Sequence, residues 1–225
     1  MQVCGRLVLA RATLLPTMPL AALILDYGNV LSHPQPRDWC ETAASQIGVP
    51  PETFRDAYWQ HRGLYDGGLP AAEYWRRVLA TLGYSAGASD LGAIINRMVE
   101  ADVASWTQYR EEVWRLAESF RLTGGRTAFL SNGVADAMAR IRADRRLERW
   151  FDAVVVSCEV GASKPDPAIF EMCLSRLGVP PRQALFVDDR IENIEGAARL
   201  GIQTFHFVGA DAVSRLSQSV RSLSG

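Results

Sequence analysis

Four short polar clusters in this sequence follow apolar runs or precede a helix-like segment. They are Asp26-Tyr27-Gly28-Asn29-Val30, Ser131-Asn132-Gly133, Lys164-Pro165-Asp166-Pro167 and Asp188-Asp189. Each cluster alone is typical of a turn or of a helix N-terminus. Together they offer carboxylates, an amino group, a hydroxyl and amides, which are the groups that a group-transfer site needs.

Asp26, Asp188 and Asp189 predict a metal site. They come directly after predicted strands, and in a parallel sheet ligands bind beyond the carboxyl ends of the strands. Close carboxylates repel one another unless a cation or a proton compensates their charge. Oxygen ligands with few histidines favour a hard ion, so we expect Mg2+.

The other clusters fit a phosphoryl group, which needs a nucleophile in line, a cation on its oxygens and donors that spread its charge. The Asp26 carboxylate can attack phosphorus and form an aspartyl-phosphate. Lys164 supplies a fixed positive charge. Ser131 and the backbone N–H groups near Asn132, at a predicted helix start, can hold the phosphoryl oxygens.

The elements that must position these residues are predicted to form an α/β fold with a parallel sheet. The predicted strands are residues 21–25, 127–130, 153–156, 184–187 and 202–208. Their nearly continuous apolar character implies helices on both faces of the sheet. With right-handed crossovers, they predict a three-layer, Rossmann-like core.

A mostly helical insertion is predicted between the first two strands. Its apolar residues recur at helical spacing, as in Tyr74, Val78 and Leu82. Breaks at 49–51, 66–70 and 83–87 divide it into about four helices.

The chain is therefore predicted to have two domains and an N-terminal extension. We assign residues 18–34 and 106–225 to the α/β core and residues 35–105 to a helical cap domain. Residues 1–17 are expected to be a disordered extension.

Composition restricts the partners and the compartment. With 24 basic and 25 acidic residues the formal net charge is −1, so we expect no nucleic acid and no membrane as a partner. The first apolar stretch is interrupted by Arg11, Pro16 and Pro19, which excludes a membrane span there. The four cysteines are far apart without a Cys-x-x-Cys pair, and we expect reduced thiols in the cytoplasm.

In this order and spacing, the four motifs make the sequence resemble the haloacid dehalogenase (HAD) superfamily of hydrolases, and the insertion is similar to the small helical cap of its subfamily IA. The resemblance extends from about Leu23 to the C-terminal helix. It implies a small phosphorylated metabolite, such as a sugar phosphate, as substrate, and a monomer or homodimer. The implied roles are Asp26 as nucleophile, Lys164 as charge stabiliser, Ser131 and Asn132 as the phosphoryl-binding pair, and Asp26, the Gly28 carbonyl, Asp188 and Asp189 as Mg2+ ligands.

Gly28 departs from the pattern of the family's phosphatases. They usually place a second aspartate at this position, which protonates the leaving oxygen and then activates water. Glycine cannot transfer a proton, and such catalysis is worth about a hundred- to ten-thousandfold in rate. We therefore expect slow turnover or a different proton-transfer group, although nothing in the spacing of His33 or His61 directs either one to the site.

Residues outside the motifs carry weaker expectations. Asn193, early in the helix after Asp189, is predicted to orient the paired carboxylates. Four side chains of the insertion have types suited to substrate contact, but at helical spacing such residues usually belong to a core. They are Trp59, Arg62, Tyr65 and Trp75.

Two other functions stay open. A 2-haloacid dehalogenase displaces halide from carbon without a metal, and it has no need of the clustered carboxylates at Asp188 and Asp189. A catalytically weak family member would bind a phosphorylated ligand or a protein partner and act by regulation, and Gly28 is the residue that favours this function.

Overall fold

The computed structural model describes residues 19–85 and 87–224. Its strands form one parallel sheet in the order β3-β2-β1-β4-β5. They are β1 (Ala22–Leu25), β2 (Arg126–Ser131), β3 (Ala153–Val156), β4 (Ala184–Asp188) and β5 (Gln203–His206). The predicted parallel α/β sheet is thus confirmed, while the expected extension of residues 1–17, with Met18, lies outside the described residues.

Helices occupy most of the chain between the strands. Those described are α1 (Trp39–Ile47), α2 (Pro51–Asp66), α3 (Ala71–Thr81), α4 (Ala88–Trp106), α5 (Glu111–Leu122), α6 (Ala135–Arg145), α7 (Ser157–Val160), α8 (Pro167–Leu177), α9 (Ile191–Arg199) and α10 (Ala212–Ser224). Helices α1 to α4 form the insertion, where the sequence predicts about four helices, and α5 follows them before β2. The division into a core and a cap domain stays a prediction.

Local sequence explains where key helices begin and end. Asp166 caps α8 with its carboxylate, which accepts the N–H of Ala168 at 2.9 Å, and Pro167 fills the first helical position. Gly178 ends the same helix in the left-handed region, at φ 64°. The start of α8 places the preceding Lys164 loop beside the sheet edge.

The core lies on both faces of the sheet because alternate strand residues point to opposite faces. In β1, Leu23 and Leu25 pack into one apolar cluster with residues of α5, α6 and α10. Ala22 and Ile24 pack into the other cluster with residues of α8 and α9. This arrangement gives the three predicted layers.

Two further observations concern the cysteines and the helices. Among the described residues, Cys40, Cys158 and Cys173 are free thiols. None of the helices that the structure describes is both long and apolar enough to cross a bilayer.

Candidate active site

The register of β1 and β4 brings the three predicted carboxylates together. Leu25 pairs with Val187, so the next residues, Asp26 and Asp188, end neighbouring strands at one sheet edge. The backbone N–H of Asp26 donates to the Val187 carbonyl at 2.9 Å. One carboxylate oxygen from each of Asp26, Asp188 and Asp189 lies within 4.8 Å of the others.

Lys164 reaches this edge from the loop before α8. Its Nζ donates to Asp26 Oδ1 at 2.6 Å, to Asp188 Oδ2 at 2.7 Å and to the Leu130 carbonyl at 3.1 Å. Burial acts to lower the pKa of Lys164, but Asp188 and Asp26 outweigh it and raise that pKa. The amino group therefore stays protonated and neutralises part of the carboxylate charge.

The composition of the chain also sets Lys164 apart. It is the only lysine among the 225 residues, in which the other basic residues are arginines.

One lysine does not balance three carboxylates. Burial raises the pKa of Asp26 to about 8, with Lys164 opposing the shift and Asp188 and Asp189 adding to it. Burial also raises the pKa of Asp189, and a hydrogen bond from Asn29 opposes this shift. The site therefore favours taking up positive charge, as a proton or as a cation.

The donor set fits a hard divalent cation. A Cβ built on Gly28 would lie 4.0 Å from Asp26 Oδ2, which places the Gly28 backbone beside this carboxylate. Carboxylate and carbonyl oxygens are the ligands that Mg2+ takes in proteins. The residues that would hold it are the predicted set, Asp26, Gly28, Asp188 and Asp189.

Two asparagines orient the paired carboxylates. Asn193 Nδ2 lies 3.0 Å from both carboxylate oxygens of Asp188, one of the two carboxylates that it is predicted to orient. Asn29 Nδ2 donates to Asp189 Oδ2 at 2.7 Å. Asn29 has a φ of 58°, a left-handed conformation that asparagine tolerates better than most residues. Sequence reasoning assigned no role to Asn29, although it lies inside the first motif.

The predicted phosphoryl-binding pair lies at the end of β2. Ser131 is buried and lines the pocket described below. The side-chain amide of Asn132 instead contacts the backbone of Lys164, donating to its carbonyl at 2.9 Å and accepting its N–H at 2.8 Å. Asn132 therefore positions Lys164, and its contact with a phosphoryl group stays a prediction. Helix α6 begins only at Ala135, so the expected helix start near Asn132 is three residues too early.

A pocket of about 120 Å³ opens above these residues, between the sheet edge and the helices of the insertion. Asp26, Ser131 and Lys164 line it from the sheet side. Its other walls include Trp59, Arg62, Asp66 and Trp106 from the insertion and Val134, Met138 and Ile141 from the segment at α6. The pocket thus combines charged groups of the sheet edge and α2 with apolar walls.

The insertion residues weighed from the sequence divide into two kinds. Trp59 and Arg62 line the pocket, whereas Tyr65 and Trp75 are buried in the aromatic core of the insertion. His33 and His61 are not among the described residues that line the pocket, and His61 lies 2.9 Å from the Thr81 hydroxyl.

Arg62 lies among aromatic rings and two carboxylates. Its Nε donates to Asp66 Oδ1 at 2.9 Å, and its Nη1 lies 3.5 Å from Asp102 Oδ1. Its guanidinium carbon lies 5.3 to 5.9 Å from the ring centroids of Tyr58, Trp59, Tyr65 and Trp106. Sequence reasoning missed Asp66, which it treated only as the start of the break at 66–70.

Comparison with known proteins supports the resemblance seen in the motifs. A family model described as haloacid dehalogenase-like hydrolase matches residues 14–201. The chain is 38% identical over 96 residues to a phosphoserine phosphatase of Thermus thermophilus, which covers 42% of this chain and 38% of that protein. It is 35% identical over 95 residues to (S)-2-haloacid dehalogenase 2 of a Pseudomonas species, covering 42% and 41%. The matches thus span less than half the length of these relatives.

A solved structure shares the fold over most of the chain. It is a HAD family enzyme from Bacteroides thetaiotaomicron in complex with magnesium and inorganic phosphate. The TM-score is 0.68 at 22% sequence identity, with 88% of this chain and 98% of that chain covered. The similarity confirms the predicted HAD-like fold.

Proposed function

Because the chain belongs to the haloacid dehalogenase-like hydrolases, we propose that it is a Mg2+-dependent phosphatase that hydrolyses small phosphomonoesters through an aspartyl-phosphate on Asp26. The observation that carries this proposal is the group of three carboxylates, two of which contact one buried lysine. Such a group carries excess negative charge, which a divalent cation compensates and metal-free chemistry does not require.

Each residue of the site then has a role. The Asp26 carboxylate attacks phosphorus while Lys164 neutralises charge beside it, and Ser131 and Asn132 bind the phosphoryl oxygens. Mg2+, held by Asp26, Gly28, Asp188 and Asp189, would reduce the repulsion between the nucleophile and the phosphoryl oxygens.

The pocket suits a small phosphorylated metabolite, such as a sugar phosphate. Its volume of about 120 Å³ is below the several hundred Å³ usual for drug-sized ligands. We assign the choice of substrate to the cap domain of residues 35–105, above a core of residues 18–34 and 106–225, in a monomer or homodimer that binds no nucleic acid and no membrane.

Two relatives support this function. The Thermus protein is named a phosphoserine phosphatase, and the Bacteroides enzyme was crystallised with magnesium and inorganic phosphate.

Phosphate release tests the proposal. We would assay sugar phosphates, nucleotides and an activated aryl phosphate with and without Mg2+, comparing wild type with Asp26→Asn. Asp211→Asn is a matched control, since Asp211 is exposed and its carboxylate pairs with Arg215 on the surface. We expect Mg2+-dependent release that Asp26→Asn abolishes and Asp211→Asn leaves unchanged. No release from any ester by folded protein would contradict the proposal.

A 2-haloacid dehalogenase is the second candidate, and Gly28 is the observation that favours it. Halide departs as an anion and needs no proton, so a site without an acid at this position suits that reaction. The Pseudomonas relative carries that activity in its name. Chloride release from a 2-haloacid without Mg2+, lost in Asp26→Asn, would establish it. Metal-dependent binding of phosphate without any turnover would instead favour a regulatory protein.

A further inference from the structure

The pocket contains a carboxylate for which the metal site has no use. Among the described residues, the acidic side chains that line it are Asp26, Asp66 and Asp189. Asp26 and Asp189 belong to the metal-binding set, so Asp66 is left. It lies at the end of α2, on the wall that the insertion forms.

Hydrogen bonds tie the end of α2 to the phosphoryl-binding loop. The hydroxyl of Ser157 donates to the backbone carbonyl of Asp66 at 2.5 Å. The same hydroxyl oxygen accepts the backbone N–H of Gly133 at 3.1 Å. One side chain thus joins the backbone of Asp66 to the loop of Ser131, which fixes the end of α2 beside the pocket.

Asp66 also belongs to a buried cluster with excess negative charge. Arg62 contacts two carboxylates, those of Asp66 and Asp102, whose side chains are 19% and 1% exposed. Asp102 Oδ1 accepts the Tyr58 hydroxyl at 2.8 Å, and Asp102 Oδ2 has no hydrogen-bond partner within the described part of the chain. One cation among two carboxylates favours uptake of a single proton.

Other charges near Asp66 limit this effect without reversing it. Burial raises the pKa of Asp66, against the lowering effects of Arg62, Arg190 and Lys164. Burial raises the pKa of Asp102 as well, against Arg62 and Tyr58. Of the two carboxylates, Asp66 is the one that lines the pocket, where a bound ester would contact it.

We propose that Asp66 is the acid and base of the phosphatase reaction, in place of the acid that Gly28 cannot supply. This proposal rests on the proposed phosphatase function. Asp66 of the cap and the nucleophile Asp26 would then lie on opposite walls of one pocket, with the ester between them.

The proton balance is closed over two steps. Asp26 forms a bond to phosphorus as the bond to the ester oxygen breaks, and that oxygen takes its electron pair and the Asp66 proton to leave as alcohol. Water then bonds to phosphorus while giving one proton to the Asp66 carboxylate. The bond between phosphorus and Asp26 breaks, its electron pair returns to Asp26, and inorganic phosphate leaves.

Two variants separate this role from support of Arg62. Asp66→Asn keeps the size of the side chain and an oxygen that accepts the N–H of Arg62 Nε, but its amide has no acidic proton to transfer to the leaving oxygen. Asp102→Asn is the matched control, because Asp102 contacts the same arginine and does not line the pocket.

Rapid-quench kinetics with 2,4-dinitrophenyl phosphate and an alkyl phosphate provide the test. Dinitrophenolate leaves without a proton. We expect Asp66→Asn to release the first equivalent of dinitrophenolate per active site at the wild-type rate and then to accumulate phosphorylated Asp26. Its later turnovers should be about 10²- to 10⁴-fold slower than those of wild type. With the alkyl ester, the variant should release even the first equivalent of alcohol more slowly than wild type, by the same factor. At acidic pH, Asp102→Asn should release the first equivalent from both esters at the wild-type rate. Its rate with the alkyl ester should begin to fall at a lower pH than that of wild type, because loss of the Asp102 charge lowers the pKa of Asp66.

Several outcomes would overturn the role of Asp66. One is that Asp66→Asn slows the first equivalent from both esters alike, which means that Asp66 only supports Arg62. Another is that the variant hydrolyses the alkyl ester as fast as wild type. In both cases Mg2+-dependent, Asp26-dependent turnover by wild type leaves the phosphatase function intact. Failure of the phosphatase function looks different, since wild type then releases phosphate from neither ester.

A measurement on wild type alone keeps the proposal testable if Asp66→Asn does not fold. Across esters of rising leaving-group pKa, an enzyme with a catalytic acid loses little kcat/KM. A steep loss of kcat/KM along the series would mean that no acid assists departure, and it would overturn the proposal.

Discussion

Replacing Lys164 by methionine should destabilise the protein strongly in the absence of a metal. The Lys164 side chain is 1% exposed, and its amino group contacts Asp26 at 2.6 Å and Asp188 at 2.7 Å. Removing one partner of a buried ion pair leaves uncompensated charge and costs about 3–5 kcal/mol. For a domain of this size, 1 kcal/mol shifts Tm by roughly 2–4 °C, so we expect a fall of roughly 6–20 °C.

The stability lost in Lys164→Met should depend on pH and on Mg2+. It is largest near pH 9, above the pKa of about 8 of Asp26, because the carboxylates are then ionised. Near pH 5 Asp26 takes up a proton, and the variant should lose less. Because Lys164→Met leaves the site more negative, Mg2+ should raise its Tm more than that of wild type.

Urea unfolding and thermal melts, each in EDTA and in Mg2+, would measure these effects. Arg215→Met is the control, since Arg215 forms an exposed ion pair with Asp211 at 3.1 Å that is worth about 0–1 kcal/mol. A loss below about 1 kcal/mol for Lys164→Met at pH 9 in EDTA would refute the argument, because it would mean that Lys164 compensates no buried charge.

Three further predictions concern the same site. In EDTA, the free energy of unfolding should fall from about pH 4 to about pH 8, because folded Asp26, with a pKa of about 8, holds a proton that the unfolded chain releases near pH 3.8. Urea unfolding should show that this free energy depends less on pH in Asp26→Asn than in wild type. An equal dependence on pH in both proteins would contradict the prediction. Gly196→Ala should lower stability by about 1–3 kcal/mol and reduce activity, because its Cβ would lie 2.8 Å from Pro165 Cβ beside Lys164. In the control Gly92→Ala the new Cβ meets nothing within 4 Å, so thermal melts and phosphate assays should show no loss of stability or activity. An amine-reactive reagent followed by peptide mass spectrometry should modify buried Lys164 only after unfolding, and rapid modification of the native protein would disprove its burial.

Much of the fold was predictable because burial leaves a strong local pattern. A strand covered on both faces reads as a continuous apolar run, and β1 to β4 were found in this way. The fifth strand, β5, has the sequence Gln-Thr-Phe-His and half-buried residues, and its prediction depended on its place before the C-terminal helix. The breaks at 49–51, 66–70 and 83–87 separate the four inserted helices because proline and glycine end helices regardless of distant contacts.

The convergence of Asp26 and Asp188 was predictable for a topological reason. Residues that directly follow parallel strands lie at the same sheet edge in any arrangement of the strands. Their actual adjacency depends on β1 and β4 being neighbours, and the strand order is not written in either segment.

The sequence by itself therefore determined the strands, the helices, the edge where the chemistry lies and the family, since each depends on local pattern or on short motifs. Only the tertiary structure decided that Asn132 holds the backbone of Lys164 and that Asp66 shares a pocket with Asp26. These contacts join segments far apart in the chain. The first arises where the end of β2 meets the loop before α8, and the second where α2 packs against α7 beside the sheet edge. No periodicity or spacing within one segment encodes which side chains such packing brings together.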